Sequence, residues 1–482
     1  MRLTRLIALC LLLLPWVVEG SNHRVLILAG WVLSNPPEPP LERVTLLVEN
    51  GVLTSIDAGY NDLDNYQQPF TVVDLRDAFV LPGFIDLHVH LTSPAEPGGD
   101  LRVVTETAAD LALTALELGQ RNLAAGFTTV VDLGTGRLAH EEAIYALRDA
   151  VAAGRAVGPR IIAAGSPLSP TGASRTGKYR AEVEAAIPPP GICDGADDCR
   201  RVVREQVARG ADIINVYNSG SLNDSYIAEQ TFTDEEFEAI VESAHALGRR
   251  VIADGHTAGG INAALRAGAD IIDTAPWPDE ESWALLHATG AAFVPHLFAF
   301  ERVVGDTPEA LNTGTMHWIP SPIMQRLYAI KSEPYSAVRA YREGITIAFG
   351  SDTGVIPHGT NAGEFTELVK IGMTPAQTIA TATSNAARVL GLGHLVGSLA
   401  PGKAADIVAV ASNPLDDISV LERVRFVMKS GRIFRADIGL GPKACPSRKT
   451  GFRTIWHRAG RRCSRPGGPI VKRKGRSSTV VP

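Results

Sequence analysis

The chain has 482 residues, a mass of 51.3 kDa and a formal charge of −6, with 45% apolar and 20% charged residues, a composition that can bury a large core and suits a globular enzyme. The charge is split: residues 441–482 hold 12 of the 46 Lys and Arg and no Asp or Glu, leaving 34 basic against 52 acidic residues elsewhere. An acidic body without a basic patch excludes nucleic acid as the main partner.

Met1-Arg2-Leu3-Thr4-Arg5, the apolar run from Leu6 to Val18 and the small residues near Gly20 read as a signal peptide over residues 1–20. The run is too short to span a bilayer well, so a secreted or periplasmic protein is expected, with no membrane span after signal cleavage. Residues 25–28, 44–48, 52–56 and 71–74 are short strands rich in β-branched side chains, and Asn50-Gly51 is a hairpin turn between two of them. From residue 83 onward helices alternate with apolar strands. The strands fall at 129–131, 161–164, 213–217, 251–253, 271–272, 292–294 and 345–349, and the helices at 108–125, 141–153, 200–209, 234–248, 260–267, 282–289 and 337–343. With a first strand at 84–90 they make eight βα units, which predicts an α/β fold with a (β/α)8 TIM barrel over residues 83–394. The glycine- and proline-rich stretch 167–200 reads either as a loop over the barrel mouth or as a surface excursion.

After the signal four cysteines remain, Cys193, Cys199, Cys445 and Cys463. Cys193 and Cys199 bracket a polar loop, and whether they join as a disulfide in an oxidising compartment stays open from the sequence alone. Strands at 407–410 and 424–428, with a turn at 429–432, return to the style of the first 80 residues. Residues 22–82 and 395–438 are therefore expected to form one composite β-sandwich. The basic tail 441–482, rich in Gly, Pro, Ser and Arg, reads as disordered.

Gly83-Phe84-Ile85-Asp86-Leu87-His88-Val89-His90 carries the chemistry. Side chains two apart on a strand point the same way, so His88 and His90 set two imidazoles side by side, which points to a divalent metal at the end of a parallel strand. Further strings follow in order: Gly126-Phe127-Thr128-Thr129-Val130, Gly210-Ala211-Asp212-Ile213-Ile214 and Gly268-Ala269-Asp270-Ile271-Ile272. Then come Gly350-Ser351-Asp352-Thr353-Gly354, Asn361-Ala362-Gly363-Glu364-Phe365, the Thr381–Ala387 run and Gly397 to Asp406. In this order and spacing residues 41–435 resemble the metal-dependent amidohydrolases, in the branch of the Xaa-Pro dipeptidase-like and imidazolonepropionase-like hydrolases.

The resemblance implies the barrel joined to a small β-sandwich from both flanks, one or two divalent cations at the C-terminal face of the barrel, and metal-activated water that hydrolyses amide, ester or related bonds. It implies His88 and His90 as metal ligands, and Asp352 as both a metal ligand and the catalytic group that takes the proton from attacking water. Other positions depart from the family pattern. The strand-four lysine, carboxylated in two-metal members, falls on Asn215, which cannot form a carbamate. The strand-five histidine falls on Asp254, strand six ends Asp273-Thr274 instead of Glu-His, and the usual Gly-Gly-His is Gly172-Ala173-Ser174.

Asp254, and His256 two residues on, are then candidates to complete a mononuclear site with His88, His90 and Asp352, holding one divalent metal, Zn2+ first and Mn2+ or Fe2+ next. Tyr217, His296 and His358 are candidate substrate-binding residues, Trp277 and Trp283 a candidate apolar wall, and Arg160 and Arg175 candidates for a substrate carboxylate. The expected function is metal-dependent hydrolysis of C–N bonds in small amide, dipeptide or cyclic amide substrates. The alternatives are a lactonase or phosphotriesterase on the same scaffold and a catalytically degenerate binding protein. The expected partner is a small-molecule or dipeptide substrate; self-association as a homo-oligomer stays open.

Overall fold

The computed structural model describes residues 24–440 except 63–65, 67–68, 96–101, 135–139, 174–179, 189, 221–228, 305–324, 326–327, 330 and 332–334. The signal peptide, Arg175, Cys445, Cys463 and the basic tail lie outside the described residues. Among the described residues no helix is long and apolar enough to cross a membrane.

Strands β1 (Arg24–Val32), β2 (Leu41–Glu49), β3 (Val52–Ala58) and β4 (Thr71–Pro82) open the chain. Asn50 and Gly51 both take positive φ, 51° and 88°, between the paired Glu49 and Val52. That backbone matches the right-handed twist of the flanking strands and favours Asn-Gly over bulkier residues. A single residue, Gly83, separates β4 from β5 (Phe84–Val89), the first of the parallel strands.

β5 pairs with β6 (Phe127–Asp132), and β6 with β7 (Arg160–Ala163), all parallel. A second parallel sheet holds β8 (Ile214–Tyr217), β9 (Val251–Thr257), β10 (Ile271–Trp277) and β11 (Ala292–Val294) in sequence order. The two sheets are linked on both sides. On one side Asp212 donates its N–H to Ala163 at 2.8 Å and Leu168 bridges Val216. On the other, Ile347 bridges Phe293, and the Leu87 N–H reaches Phe349 O at 2.9 Å. Residues 345–349 thus lie where a strand is expected but make only a bridge. The Phe349 N–H is diverted to Thr381 O at 3.1 Å, which interrupts the ladder.

Alternate strand residues divide between two cores. Ile213, Ile252, Ile271 and Val294 belong to one cluster with Ile85, Leu87, Val131 and Leu133. Their neighbours Ile214, Val216, Val251, Ala253 and Ile272 pack with the helices in another. Two of those helices, Ala108–Ala124 and Asp234–Ala246, start at capping boxes, Thr107 with Asp110 and Thr233 with Glu236. The helix expected from residue 200 already begins in Ala196–Arg209. The helices Gly363–Lys370 and Pro375–Ala380 had no counterpart in the periodicity reading.

β12 (Ile407–Val410), β13 (Phe426–Lys429) and β14 (Arg432–Ala436) complete a seven-stranded sheet of order β14-β13-β12-β4-β1-β2-β3. Strands from the two ends of the sequence meet where β12 runs antiparallel to β4, and they share one core including Ile27, Leu46, Val73, Ile407 and Phe426.

Cys193 and Cys199 form a disulfide, both fully buried, beside the start of the helix Ala196–Arg209. Closing so short a loop removes little unfolded-chain entropy. Reduction, or the double replacement by serine, is expected to lower stability by about 2 kcal/mol, read as the shift in urea midpoint with and without reductant.

Candidate metal centre

The first-strand imidazoles do not follow simple alternation. Ile85 and Leu87 pack in the inner cluster whereas Val89 packs in the outer one, and the β5–β6 register slips between Asp86 and Val89. Such a slip re-aims the following side chains. It lets His88 and His90 turn inward above Leu87, with their Nε2 atoms 3.0 Å apart. Asp352 arrives from the segment after residue 349, with φ of 55° and its N–H on His88 O at 3.0 Å. Its Oδ1 lies 3.4 Å from His88 Nε2 and 3.3 Å from His90 Nε2.

Hydrogen bonds set the tautomers. His90 Nδ1 donates to Gly134 O, and His88 Nδ1 to Asp273 Oδ2 at 2.6 Å. Carbonyl and carboxylate oxygens only accept, so both Nδ1 atoms carry a proton, and in the neutral imidazole each Nε2 keeps a lone pair. Asp352 Oδ1 is buried and has no hydrogen-bond partner. With both imidazoles neutral, two lone pairs and a carboxylate oxygen converge, an arrangement that a cation satisfies. Their separations match the edge of about 3.3 Å that tetrahedral bonds of 2.0–2.1 Å to zinc require. The residues present fit a divalent cation, with the carboxylate–histidine pairing common behind metal ligands.

A second group of possible ligands, His88, Asp273 and His296, reads differently. His296 Nε2 donates to Asp273 Oδ1 at 2.8 Å, while His88 Nδ1 holds the other oxygen of the same carboxylate. At 2.6 and 2.8 Å these are charge-assisted hydrogen bonds, and the two imidazole nitrogens stand 3.2 Å apart because Asp273 gathers them.

The electrostatics follow from burial and charge. Burial works against the charged form of His88, but Asp273 and Asp352 outweigh it and raise its pKa to about 10, so a cation that takes Nε2 displaces a proton from it. Burial alone would lift Asp273, yet the His296 and His88 imidazoles hold it well below the usual carboxylate range. For Asp352 burial is likewise outweighed by His88 and His90, which keep it low. Burial, then Asp273, push Asp254 up to about 6.

Buried carboxylates hold the site from behind. Asp132 accepts the Leu91 N–H at 2.7 Å and the Gly134 N–H at 3.0 Å, which sets the carbonyl that takes the His90 proton. Gly134 has φ of 75°, and a Cβ there would fall 1.9 Å from Gly165 O, so no other residue fits. Asp86 accepts from the His88 N–H at 3.1 Å, the Ser351 N–H at 3.0 Å and Asn361 Nδ2 at 2.7 Å, which ties the imidazole strand to the Asp352 turn. Glu364, raised to about 7 by burial, takes the Leu297 and Phe298 N–H groups at 3.1 and 2.6 Å and so pins the turn holding His296.

The structure brings His88, His90 and Asp352 together, but neither Asp254 nor His256 joins either group of ligands. Asp254 accepts from Thr274 Oγ1 at 3.1 Å. His256 lies 3.4 Å from Ser219 Oγ through Nδ1, and burial lowers it to about 4. His296, given to substrate in the sequence reading, is 1% exposed and bound to Asp273. Tyr217 is half-buried at the end of β8, level with Asp254. Trp283 is buried against Phe293, and Arg160 pairs with Asp406 at 2.7 Å; neither is free for substrate. Sequence reasoning gave no role to Asp273, Asp86, Asp132 or Glu364. Their one signal was an acidic residue placed on otherwise apolar strands or beside a motif glycine.

His358 donates from Nε2 to Ser93 O at 3.1 Å and accepts at Nδ1 from Asn122 Nδ2 at 3.2 Å. These bonds satisfy both ring nitrogens of a neutral imidazole, and burial lowers its pKa to about 4. Between pH 6.5 and 4 the unfolded chain protonates this histidine and the folded one does not. Its contribution to stability therefore falls as pH falls, by up to about 3 kcal/mol. In His358→Gln the urea midpoint is expected to depend less steeply on pH across that window, by up to one proton; an unchanged slope would remove His358 from the acid response.

Residues 79–434 match the Amidohydrolase family. The ochratoxinase of Aspergillus niger is 30% identical over 460 residues, covering 89% of this chain and 90% of that protein. The imidazolonepropionase of Symbiobacterium thermophilum is 26% identical over 408 residues, 76% of this chain and 84% of that one. Among solved structures, a Xaa-Pro dipeptidase with methionine bound in its active site superposes with a TM-score of 0.77 at 30% identity, covering 86% of this chain and all of the other. Together with the paired histidines and the aspartate that meets them, these likenesses place the chain in the amidohydrolase family.

Proposed function

We propose that this protein hydrolyses C–N bonds in small amide, dipeptide or cyclic amide substrates with a single divalent cation held by His88 Nε2, His90 Nε2 and Asp352 Oδ1. The observation that carries the reading is the convergence of these three ligand atoms, 3.0 to 3.4 Å apart, with Asp352 Oδ1 buried and without a hydrogen-bond partner. When bound, a divalent cation supplies Lewis acidity and an acidified water. Asp352, 22% exposed through its side chain, meets both the imidazoles and solvent, so it can take a proton from water and return it to the leaving nitrogen. Asp273 and Gly134 keep both imidazoles in the tautomer whose Nε2 is open. Tyr217, half-buried at the end of β8 and level with Asp254, is assigned to substrate contact in this reading.

Closure of the eight parallel segments into a (β/α)8 barrel is part of this reading, supported by the links from β7 to β8 and from β11 through residues 345–349 to β5. Export is also part of it, supported by the signal-like start and the buried disulfide. Amide and dipeptide substrates are favoured by the relatives named ochratoxinase and Xaa-Pro dipeptidase.

One cation, not two, is argued by Asn215 at the position of the bridging lysine and by Asp273, whose two oxygens are taken by His88 and His296. Metal analysis after purification without chelators should give close to one zinc, manganese or iron per chain, lost in His90→Ala. Hydrolysis of an amide and dipeptide panel should exceed that of lactones and phosphotriesters. Two ions per chain would overturn the single-cation site. No ion, with the whole panel at background, would make the protein a binding member of the family.

A further inference from the structure

One carboxylate beside the cation site is left without a partner charge. Asp254 lies on β9 two residues after Ile252, which packs inward, and next to Ala253, which packs outward, so its side chain faces the interior. It is in register with Asp273 on β10 and with Tyr217 on β8. Asp254 Oδ1, Thr274 Oγ1, Asp273 Oδ2 and His88 Nδ1 follow one another at 3.1, 3.4 and 2.6 Å, which sets Asp254 one hydroxyl away from the carboxylate that orients His88. A single hydroxyl proton serves both carboxylates. Thr274 holds it there from a backbone with φ of 68°, where a β-branched residue is strained. Among the described residues no arginine or lysine pairs with Asp254, and the imidazoles of His88 and His296 are bound to Asp273 instead.

A half-buried carboxylate whose neighbours are other carboxylates calls for a positive partner. Its pKa, pushed up to about 6 by burial and then by Asp273, leaves it ionised at pH 8. His256, two residues on along the same strand, is lowered to about 4 by burial and brings no positive charge. The partner must then come with the substrate. We propose that Asp254 determines specificity by receiving a charged amino group of the substrate, so that the amides cleaved here carry a free amine next to the scissile carbonyl, as the first residue of a dipeptide does. This deepens the proposed hydrolysis and rests on it. In such a substrate the amine nitrogen and the carbonyl carbon are bonded to the same carbon and lie about 2.5 Å apart. A carbonyl at the cation therefore brings its ammonium to the row of strand ends that holds Asp254. A substrate without the amine would strip water from Asp254 and put no counter-charge in its place.

The test uses the metal-loaded full chain at pH 8. Each dipeptide of the panel is compared with its deamino analogue, in which hydrogen replaces the amino group. kcat/KM should favour the amine by about 10–100-fold, as a hydrogen bond to a charged group does. Asp254→Asn, of the same shape, should bring that ratio close to one at wild-type metal content. Asp254→Ala should lower the ratio in the same way, so failure of one variant to fold leaves the test intact. A wild-type ratio near one, or a ratio unchanged in either folded variant, would overturn the assignment. So would loss of metal from Asp254→Asn, which would make Asp254 a ligand. Calorimetry with L-phenylalaninol and 3-phenylpropan-1-ol, which contain no amide, separates this inference from the hydrolase reading. The amine should bind the wild type about 10–100-fold tighter than the plain alcohol, and Asp254→Asn no tighter. A dipeptide panel wholly at background would end the hydrolase reading, and the alcohol pair would then decide the amine site alone, with equal or absent binding overturning it.

Discussion

Asp352→Asn is expected to lower kcat on the best amide substrate by about 10^2- to 10^4-fold while changing KM little. Asparagine keeps the shape and an oxygen that can face a cation, so the fold and most of the cation occupancy should survive. What it loses is the ability to take a proton. The backbone around residue 352 has no reason to move, because its N–H bond to His88 O and the Thr353 O bond to the His90 N–H do not involve the side chain. Steady-state kinetics with metal content measured on the same sample decides the matter. A fall of less than ten-fold at full occupancy would remove Asp352 as the proton carrier. A complete loss of metal would make it chiefly a ligand.

The second large effect is on stability. Asp273 is 1% exposed and is the shared acceptor of His88 Nδ1 at 2.6 Å and His296 Nε2 at 2.8 Å. In Asp273→Asn one imidazole N–H keeps an oxygen while the other meets an amide N–H. A buried charge cluster then loses its central counter-charge. Breaking a buried pair by removing one partner costs about 3–5 kcal/mol, and urea unfolding of the metal-free protein should show a loss in that range. His88 also loses the partner that sets its tautomer, so cation affinity should fall about 10–100-fold. A variant within about 1 kcal/mol of the wild type would mean that solvent, not Asp273, satisfies the two histidines.

The pattern of strands and helices was legible because each is written locally. Apolar runs bounded by glycine marked the parallel strands, and Asn50-Gly51 marked its hairpin. The eighth segment was legible as an apolar run but not as a bridge, because the diversion of the Phe349 N–H to Thr381 depends on a residue 32 positions later. His88 and His90 were found by spacing, although it is the register slip in β5 that turns both inward. Asp254 and His256, the other candidates from spacing, lie within electrostatic reach of Asp273 and Asp352 but outside the two groups of converging donor atoms. Both lie on β9, where Asp254 accepts from Thr274 Oγ1 and His256 lies beside Ser219 Oγ.

The sequence by itself determined the family, the two imidazoles, the aspartate that meets them and the exclusion of a carbamate at Asn215, because each is a matter of residue identity and near spacing. Tertiary structure decided which groups share charge. His88 meets Asp273 across 185 residues and His296 across 208, and Asp86 reaches Asn361 across 275. No local period records such distances. Only when the parallel strands lie side by side do buried carboxylates and imidazoles come within reach, and burial makes their pairing strong enough to set tautomers, proton affinities and the place for a cation.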